Sequence, residues 1–265
     1  MITIIIVVYK SDKKKLNEII KNFNNFKIII VDNSTNYDFS DIDINKNIEI
    51  VRSTNIGNGR AINKALEICE TTLALYVDID VDFPNNFINN LLDQSNQIAN
   101  FNILVPNHGN LKGEKKIIEK YVGEASVMLF NLNKFKNRKI FDENYFLYFE
   151  ETDLFFNCKK NNLKVFFIKD IIIKHHRASS IYNESKQIED LRTWHYMWSM
   201  FYFYKKNYNF FTAINKTFKF LIKDFLMLIF FIISFNFNKS SIRFYRLYGL
   251  ISSILGLKSF LREEN

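Results

Sequence analysis

A mostly parallel α/β sheet followed by a helical C-terminal extension is the fold that the sequence predicts, and three observations carry it. Short apolar, β-branched runs at 2–8, 27–31, 48–51 and 73–77 read as strands covered on both faces. Between them lie stretches whose apolar residues recur at helical spacing, the alternation expected of a parallel sheet with ligand loops at its carboxyl edge. From about Trp194 onward the pattern changes to long aromatic-rich segments studded with Lys and Arg. The sheet domain is therefore placed at 1–185 and an amphipathic helical region at 186–265.

Each element has its local reason. After the first strand, Ser11 or Asp12 caps a helix whose buried face is Leu16, Ile19, Ile20 and Phe23. The second strand ends in Asp32-Asn33-Ser34. A third strand leads to Asn55-Ile56-Gly57-Asn58-Gly59, which opens a helix through Ala61, Ala65 and Leu66. The fourth, 73–77, runs into Asp78-Ile79-Asp80; side chains of an extended segment alternate, so the two carboxylates share a face, with Asp82 next if the strand continues. Pro84 is expected in the first turn of a helix bearing Phe87, Leu91 and Leu92. Further strands are expected near 102–105, 125–130, 165–168 and 171–173. Between them, a helix from Glu150 stops at Asn161-Asn162, where Asn takes a left-handed cap.

Composition narrows the class. The chain has 265 residues and a net charge of +8, enough to bury a sizeable core. The charge is uneven: residues 1–153 carry 18 Lys/Arg against 21 Asp/Glu, and 201–265 carry 10 against 3. Cys69 and Cys158 alone give neither a disulfide framework nor a C-x-x-C metal knuckle, as expected of a reduced, intracellular protein. No nucleic-acid module is recognisable. The apolar N-terminus lacks a basic region and a small-residue cleavage site, so it reads as a strand and not as a signal peptide.

Hard oxygen donors at a strand end suit Mg2+ or Mn2+, which keep positions open for phosphate oxygens. Five pieces then follow one another in order: Ile5 to Tyr9, Ile30 to Ser34, Asn55-x-Gly57-x-Gly59-x-Ala61-x-Asn63, Val77 to Asp80, and Phe146-Leu147-Tyr148-Phe149-Glu150-Glu151-Thr152-Asp153 with a later His175. Together they resemble family 2 glycosyltransferases of the GT-A fold over about residues 2–180. The C-terminal helices look like those of the rhamnosyltransferase-like and galactofuranosyltransferase-like branch. Gly123 to Leu129 looks like the family's acceptor-side strand.

The resemblance implies roles for these residues. Val8 and Tyr9 end the first strand beside the nucleotide; Asp32 hydrogen-bonds the base; Asn55, Gly57 and Gly59 let backbone approach it; and Asp78 holds the ribose or donor sugar. Asp80 binds the metal, joined by His175, although His176 is its neighbour and competes for that part in the cationic run Lys174-His175-His176-Arg177. The family's E-D-x-D pattern places the base at Glu151, one methylene longer than the usual Asp, with Glu150 and Asp153 raising its pKa by like-charge repulsion. The expected reaction is inverting transfer of a sugar from a nucleoside diphosphate donor to an acceptor hydroxyl on a surface glycan or lipid-linked oligosaccharide. A nucleotidyltransferase and a non-catalytic nucleotide-sugar-binding scaffold are the rivals; Tyr9-Lys10-Ser11-Asp12 is a poor match to the Gly-rich loop of the first.

An eleven-residue apolar run at 225–235 is too short to span a bilayer. Lys219 and Lys223 precede it, a later helix carries Leu247, Leu250, Ile251, Ile254 and Leu261, and Arg243, Arg246, Lys258 and Arg262 add positive charge. Such helices lie in the headgroup region, so the chain is expected in the cytoplasm, peripherally bound to the anionic inner face of the plasma membrane. Packing of the same faces on one another or on a partner subunit is the alternative.

Overall fold

A computed structural model of the chain describes residues 1–34, 36–98, 100–176 and 185–262. The chain divides into two units, one of Met1–Asp142 and Glu151–Tyr182, the other of Glu143–Glu150 and Asn183–Asn265. Sequence reasoning placed a single change of pattern at 185/186; the excursion of 143–150 into the second unit has no sequence signal.

In the first unit the elements run β1 (Ile2–Val8), α1 (Lys13–Asn22), β2 (Lys27–Asp32), β3 (Ile48–Arg52), α2 (Asn58–Ile68), β4 (Leu73–Val77), β5 (Val81–Asp82), α3 (Phe87–Gln97), β6 (Ile103–Asn107), β7 (Ile117–Glu119), β8 (Val127–Asn131), α4 (Glu150–Lys160), β9 (Val165–Ile172) and β10 (Lys174–His175). Eight strands form one sheet in the order β3-β2-β1-β4-β8-β6-β9-β7. The first four are parallel, β8 is antiparallel to both neighbours, β6 and β9 are parallel, and β7 closes the edge antiparallel.

Two cores cover the sheet, as the alternation of β1 requires. Ile4, Ile6 and Val8 pack with Leu16, Ile20, Phe87 and Leu91 of α1 and α3, whereas Ile5 joins Ala61, Leu66, Leu154 and Phe155 of α2 and α4 on the other side. Asp12 caps α1, accepting from the Lys14 and Lys15 amides. Asn162 after α4 has φ 56°, the left-handed residue expected there. Pro84 differs from expectation: its carbonyl accepts the Phe87 amide, and Asn86 at φ 58° interrupts the chain, so α3 starts only at Phe87. Both cysteines are buried and free.

The second unit holds α5 (Lys186–Asn207), α6 (Phe210–Ile233) and α7 (Phe237–Ile254). Their shared core is Met197, Met200, Phe201, Ala213 and Leu250. The apolar run at 225–235 is thus the end of one 24-residue helix. Among the described residues no helix is long and apolar enough to cross a membrane.

Candidate active site

Three parallel strand ends present their polar residues at one edge. Asp32, at the end of β2, is fully buried, with one carboxylate oxygen accepting from the Ser34 amide (2.9 Å) and the other from the Tyr37 amide (3.2 Å) and Arg52 (3.0 Å). Beside it the Asn33 amide donates to the Val8 carbonyl. The Asn33 side chain then reaches the Asn55 side chain (3.2 Å) and accepts from the Ile56 amide (2.9 Å), stapling the second loop to the first. Gly57, with φ 92°, turns that loop into α2, a backbone state that favours glycine. Gly59 is buried in the first turn. Tyr9 donates its amide to the Ser11 hydroxyl, and Lys10 takes a left-handed φ of 48°.

The acidic centre lies one strand further on. β4 ends at Val77, so Asp78 and Asp80 come together through a turn and not along a continuing strand. Asp82 goes elsewhere, its carboxylate 2.7 Å from the His176 ring. The short β5–β10 pair places His175 opposite Val81. His175 Nε2 lies 3.2 Å from Asp80 Oδ1, and its Nδ1 lies 2.5 Å from Glu124 Oε1. Asp78, Asp80 and His175 each offer one ligand atom, all within 4.8 Å of one another. Arg177 lies outside the described residues.

Charge is concentrated here. Burial pushes the Asp78 carboxyl up to about 7; the Tyr76 hydroxyl, which donates to it, pulls it back, and Asp80 and Glu151 push it further. Burial pulls His175 down, but its hydrogen bonds to Asp80 and Glu124 outweigh that and hold it at about 9. Two carboxylates at one spot, one of them costly to ionise, favour a divalent cation there, and oxygen plus imidazole donors fit Mg2+ or Mn2+. Glu151 is raised above the ordinary 4.5, first by burial and then by Glu124, while its own and the Thr152 amides oppose the shift. Glu151 therefore shares the electrostatic field of Asp78 and Glu124.

The flanking acids are placed differently. Asp153 is buried and accepts from the Asn157 side chain one turn on (2.9 Å). Glu150 is buried at the end of the segment that belongs to the helical unit. Sequence reasoning missed Glu124 and His108, and also Asn58, whose amide lies 3.2 Å from the Tyr76 hydroxyl and so links the start of α2 to Asp78. A tyrosine inside an apolar strand and an acid just before β8 were the only local signals.

No protein-family model matches the chain, and no curated protein matches it in sequence. Among solved structures it is similar to residues 1–349 of S. aureus TarS in complex with UDP, at 12% identity over 96% of this chain and 91% of that one, with a TM-score of 0.50. Against a longer TarS chain it covers 39% of that protein's length. It is also similar to the mannosyltransferase PcManGT from Pyrobaculum calidifontis in complex with GDP-Man and Mn2+, at 9% identity over 96% of this chain and 87% of that one, with a TM-score of 0.55. At such identities the likeness speaks for architecture, and in architecture this chain is a GT-A protein, with a mostly parallel sheet and C-terminal helices.

Proposed function

We propose that the protein is an inverting, metal-dependent glycosyltransferase that moves a sugar from a nucleoside diphosphate donor to an acceptor hydroxyl. The observation that carries this reading is the Asp78/Asp80/His175 group, whose ligand atoms all lie within 4.8 Å of one another just past the end of β4, with Glu151 close enough for its charge to push the Asp78 carboxyl up. The solved neighbours that hold UDP, or GDP-Man with Mn2+, support the donor class.

In this reading the Asp32 and Asn55–Gly59 loops hold the nucleotide, the start of α2 favours its negative charge, and Asp78 orients the ribose or donor sugar. Because the Asp32 oxygens already hold Ser34, Tyr37 and Arg52, its main part is to shape the loop that faces the base. Asp80 and His175 hold Mg2+ or Mn2+, which when bound neutralises charge on the departing diphosphate. Glu151 takes the proton of the acceptor hydroxyl. The acceptor oxygen so released bonds to the anomeric carbon as the bond from that carbon to the diphosphate breaks, and the electron pair leaves with the nucleotide. The acceptor in this reading is a glycan or lipid-linked oligosaccharide.

The second part of the proposal is attachment to an anionic membrane through α6. Ala213, Thr217, Asp224 and Phe231 of α6 are buried, while Phe211, Phe218, Ile222, Phe225, Ile229 and Ile233 form an exposed stripe at helical spacing. Lys216, Lys219 and Lys223 are exposed on the same helix. Two arginines that the sequence assigned to this surface are engaged inside the unit, since Arg243 and Arg246 grip buried Asp224 at 2.7 and 2.6 Å. Arg262 likewise stacks on Phe146 at 3.7 Å.

The test is incubation of full-length protein with UDP-, GDP- and dTDP-sugars and Mn2+, reading release of nucleoside diphosphate by slow hydrolysis. Wild type is expected to release it, Asp80→Ala is not, and failure of every donor refutes the proposal. Formation of a nucleotide sugar from sugar phosphate and nucleoside triphosphate favours the nucleotidyltransferase instead.

A further inference from the structure

Resting on the cation site just proposed, the geometry points to Glu124 as its positioning residue: Glu124 holds the His175 ring so that Nε2, and not Nδ1, faces Asp78 and Asp80. An imidazole offers two nitrogens, and a cation site needs one fixed in place with its lone pair available. A carboxylate only accepts hydrogen bonds. Glu124 Oε1, 2.5 Å from Nδ1, accepts the proton of that nitrogen and holds the ring so that Nε2 points to Asp80 Oδ1 at 3.2 Å, where a cation would take the place of the Nε2 proton.

The ring is also held from the side. His108 lies edge-on to His175, with centroids 6.2 Å apart and planes at 71°, and is itself tied to the Ser126 hydroxyl at 2.8 Å. Ser126 and Glu124 both belong to the segment entering β8, whose pairing with β4 starts at Val127 opposite Val77. The Ser126 carbonyl in turn accepts the Asp78 amide at 2.9 Å. One rigid strand pair thus carries both the carboxylates and the group that aims the histidine at them. His108, Glu124 and His175 also have donor atoms within 4.8 Å, but Nδ1 of His175 is already spent on Glu124, so one cation is expected, not two.

Mn2+ alone, titrated calorimetrically into full-length wild type, Asp80→Ala, Glu124→Ala, Glu124→Gln and His108→Ala, tests this. Loss of a group that orients a metal-binding histidine costs about 10–100-fold in affinity. Glu124→Ala should therefore weaken Mn2+ binding by that factor. Glu124→Gln, whose amide oxygen still accepts from Nδ1–H without the charge, should weaken it less, and melting temperatures should stay close to wild type. Long-range 1H–15N spectra of the Mg2+-loaded protein should place the His175 proton on Nδ1 in wild type and mix the tautomers in Glu124→Ala. Wild-type affinity in Glu124→Ala, with Asp80→Ala still impaired, overturns the role of Glu124 and leaves the cation site standing. A wild type that binds no Mn2+, or an unimpaired Asp80→Ala, overturns both. Two equivalents of Mn2+, one of them lost in His108→Ala, would overturn the positioning role in favour of a second metal site. If Glu124→Ala does not fold, Glu124→Leu, which fills the space but accepts no hydrogen bond from Nδ1–H, takes its place, and unchanged Mn2+ affinity there is decisive against the assignment.

Discussion

The Ser199 hydroxyl donates to the Leu147 carbonyl at 2.8 Å, across 52 residues of sequence. This bond ties the segment just before Glu151 to α5 within the helical unit. Tyr145 packs on Tyr202, Phe146 on His195 and Phe149 on Phe203 in the same unit. Such contacts hold Tyr148 and Phe149 at φ 67° and 69°, a left-handed conformation costing about 1–3 kcal/mol for each bulky residue. Ser199→Ala should lower stability by about 1 kcal/mol. It should also reduce kcat while leaving metal-linked nucleotide binding intact, because the chain entering Glu151 loosens. Turnover, thermal melting and nucleotide calorimetry on one variant check this together.

Glu151→Gln keeps size and polarity but accepts no proton, so transfer should fall by about 10²–10⁴-fold with donor affinity unchanged. Glu150→Gln should cost less. Because burial raises Glu151 above 4.5, the acid limb of kcat/KM should lie above the ordinary carboxylate range, with activity falling as the pH drops through it. A pH–rate profile tests this limb, and a larger effect at Glu150 moves the base by one residue.

Full-length protein should co-sediment with anionic vesicles and less with neutral ones, with salt weakening the binding without abolishing it. Each lysine near such a surface contributes about 1 kcal/mol. Replacing Lys216, Lys219 and Lys223 by Gln should therefore cost about 100-fold in partitioning. Arg243→Gln should instead lower the melting temperature, because Asp224 is then left short of a buried partner. Protein that ignores vesicles altogether refutes the membrane reading.

His195 is buried and neutral: Nε2 lies 3.0 Å from the Leu261 carbonyl and Nδ1 3.0 Å from the Ser259 hydroxyl. Burial pushes it down to about 3, and Arg262 adds to the shift against the Leu261 bond. Unfolded, it titrates near 6.5, so below that pH the unfolded chain binds the extra proton. Its contribution is whole above 6.5 and is lost as pH falls toward 3, amounting to about 2 kcal/mol by pH 5. Urea unfolding at pH 7.5 and 5 should show a smaller drop in His195→Gln than in wild type.

A Cβ added at Gly249 would lie 2.2 Å from the Trp194 carbonyl oxygen, where α7 meets α5. Backbone does not yield as a flexible side chain does. Gly249→Ala should cost about 1–3 kcal/mol or more, read as a lower melting temperature.

Local physics made much of this protein legible in its sequence. Side-chain alternation exposed β1 as a strand buried on two faces, Asp12 and Asn162 marked helix ends through cap chemistry, and acids after an apolar run marked the end of β4. Each of these signals lies within a few residues, because backbone period and capping act over one turn or one strand. Tertiary structure alone decided what meets across distance. Glu124 reaches His175 over 51 residues, the β5–β10 pair brings His175 to Asp80 while His176 turns to Asp82, and Asp224 draws in two arginines that by composition belonged to the surface. Residues 143–150 carry no periodic mark of their attachment to the helical unit. Which carboxylate orients a histidine, and which cation stays free for a partner, depends on the segments that the sheet order and helix packing bring together, and no local pattern encodes that.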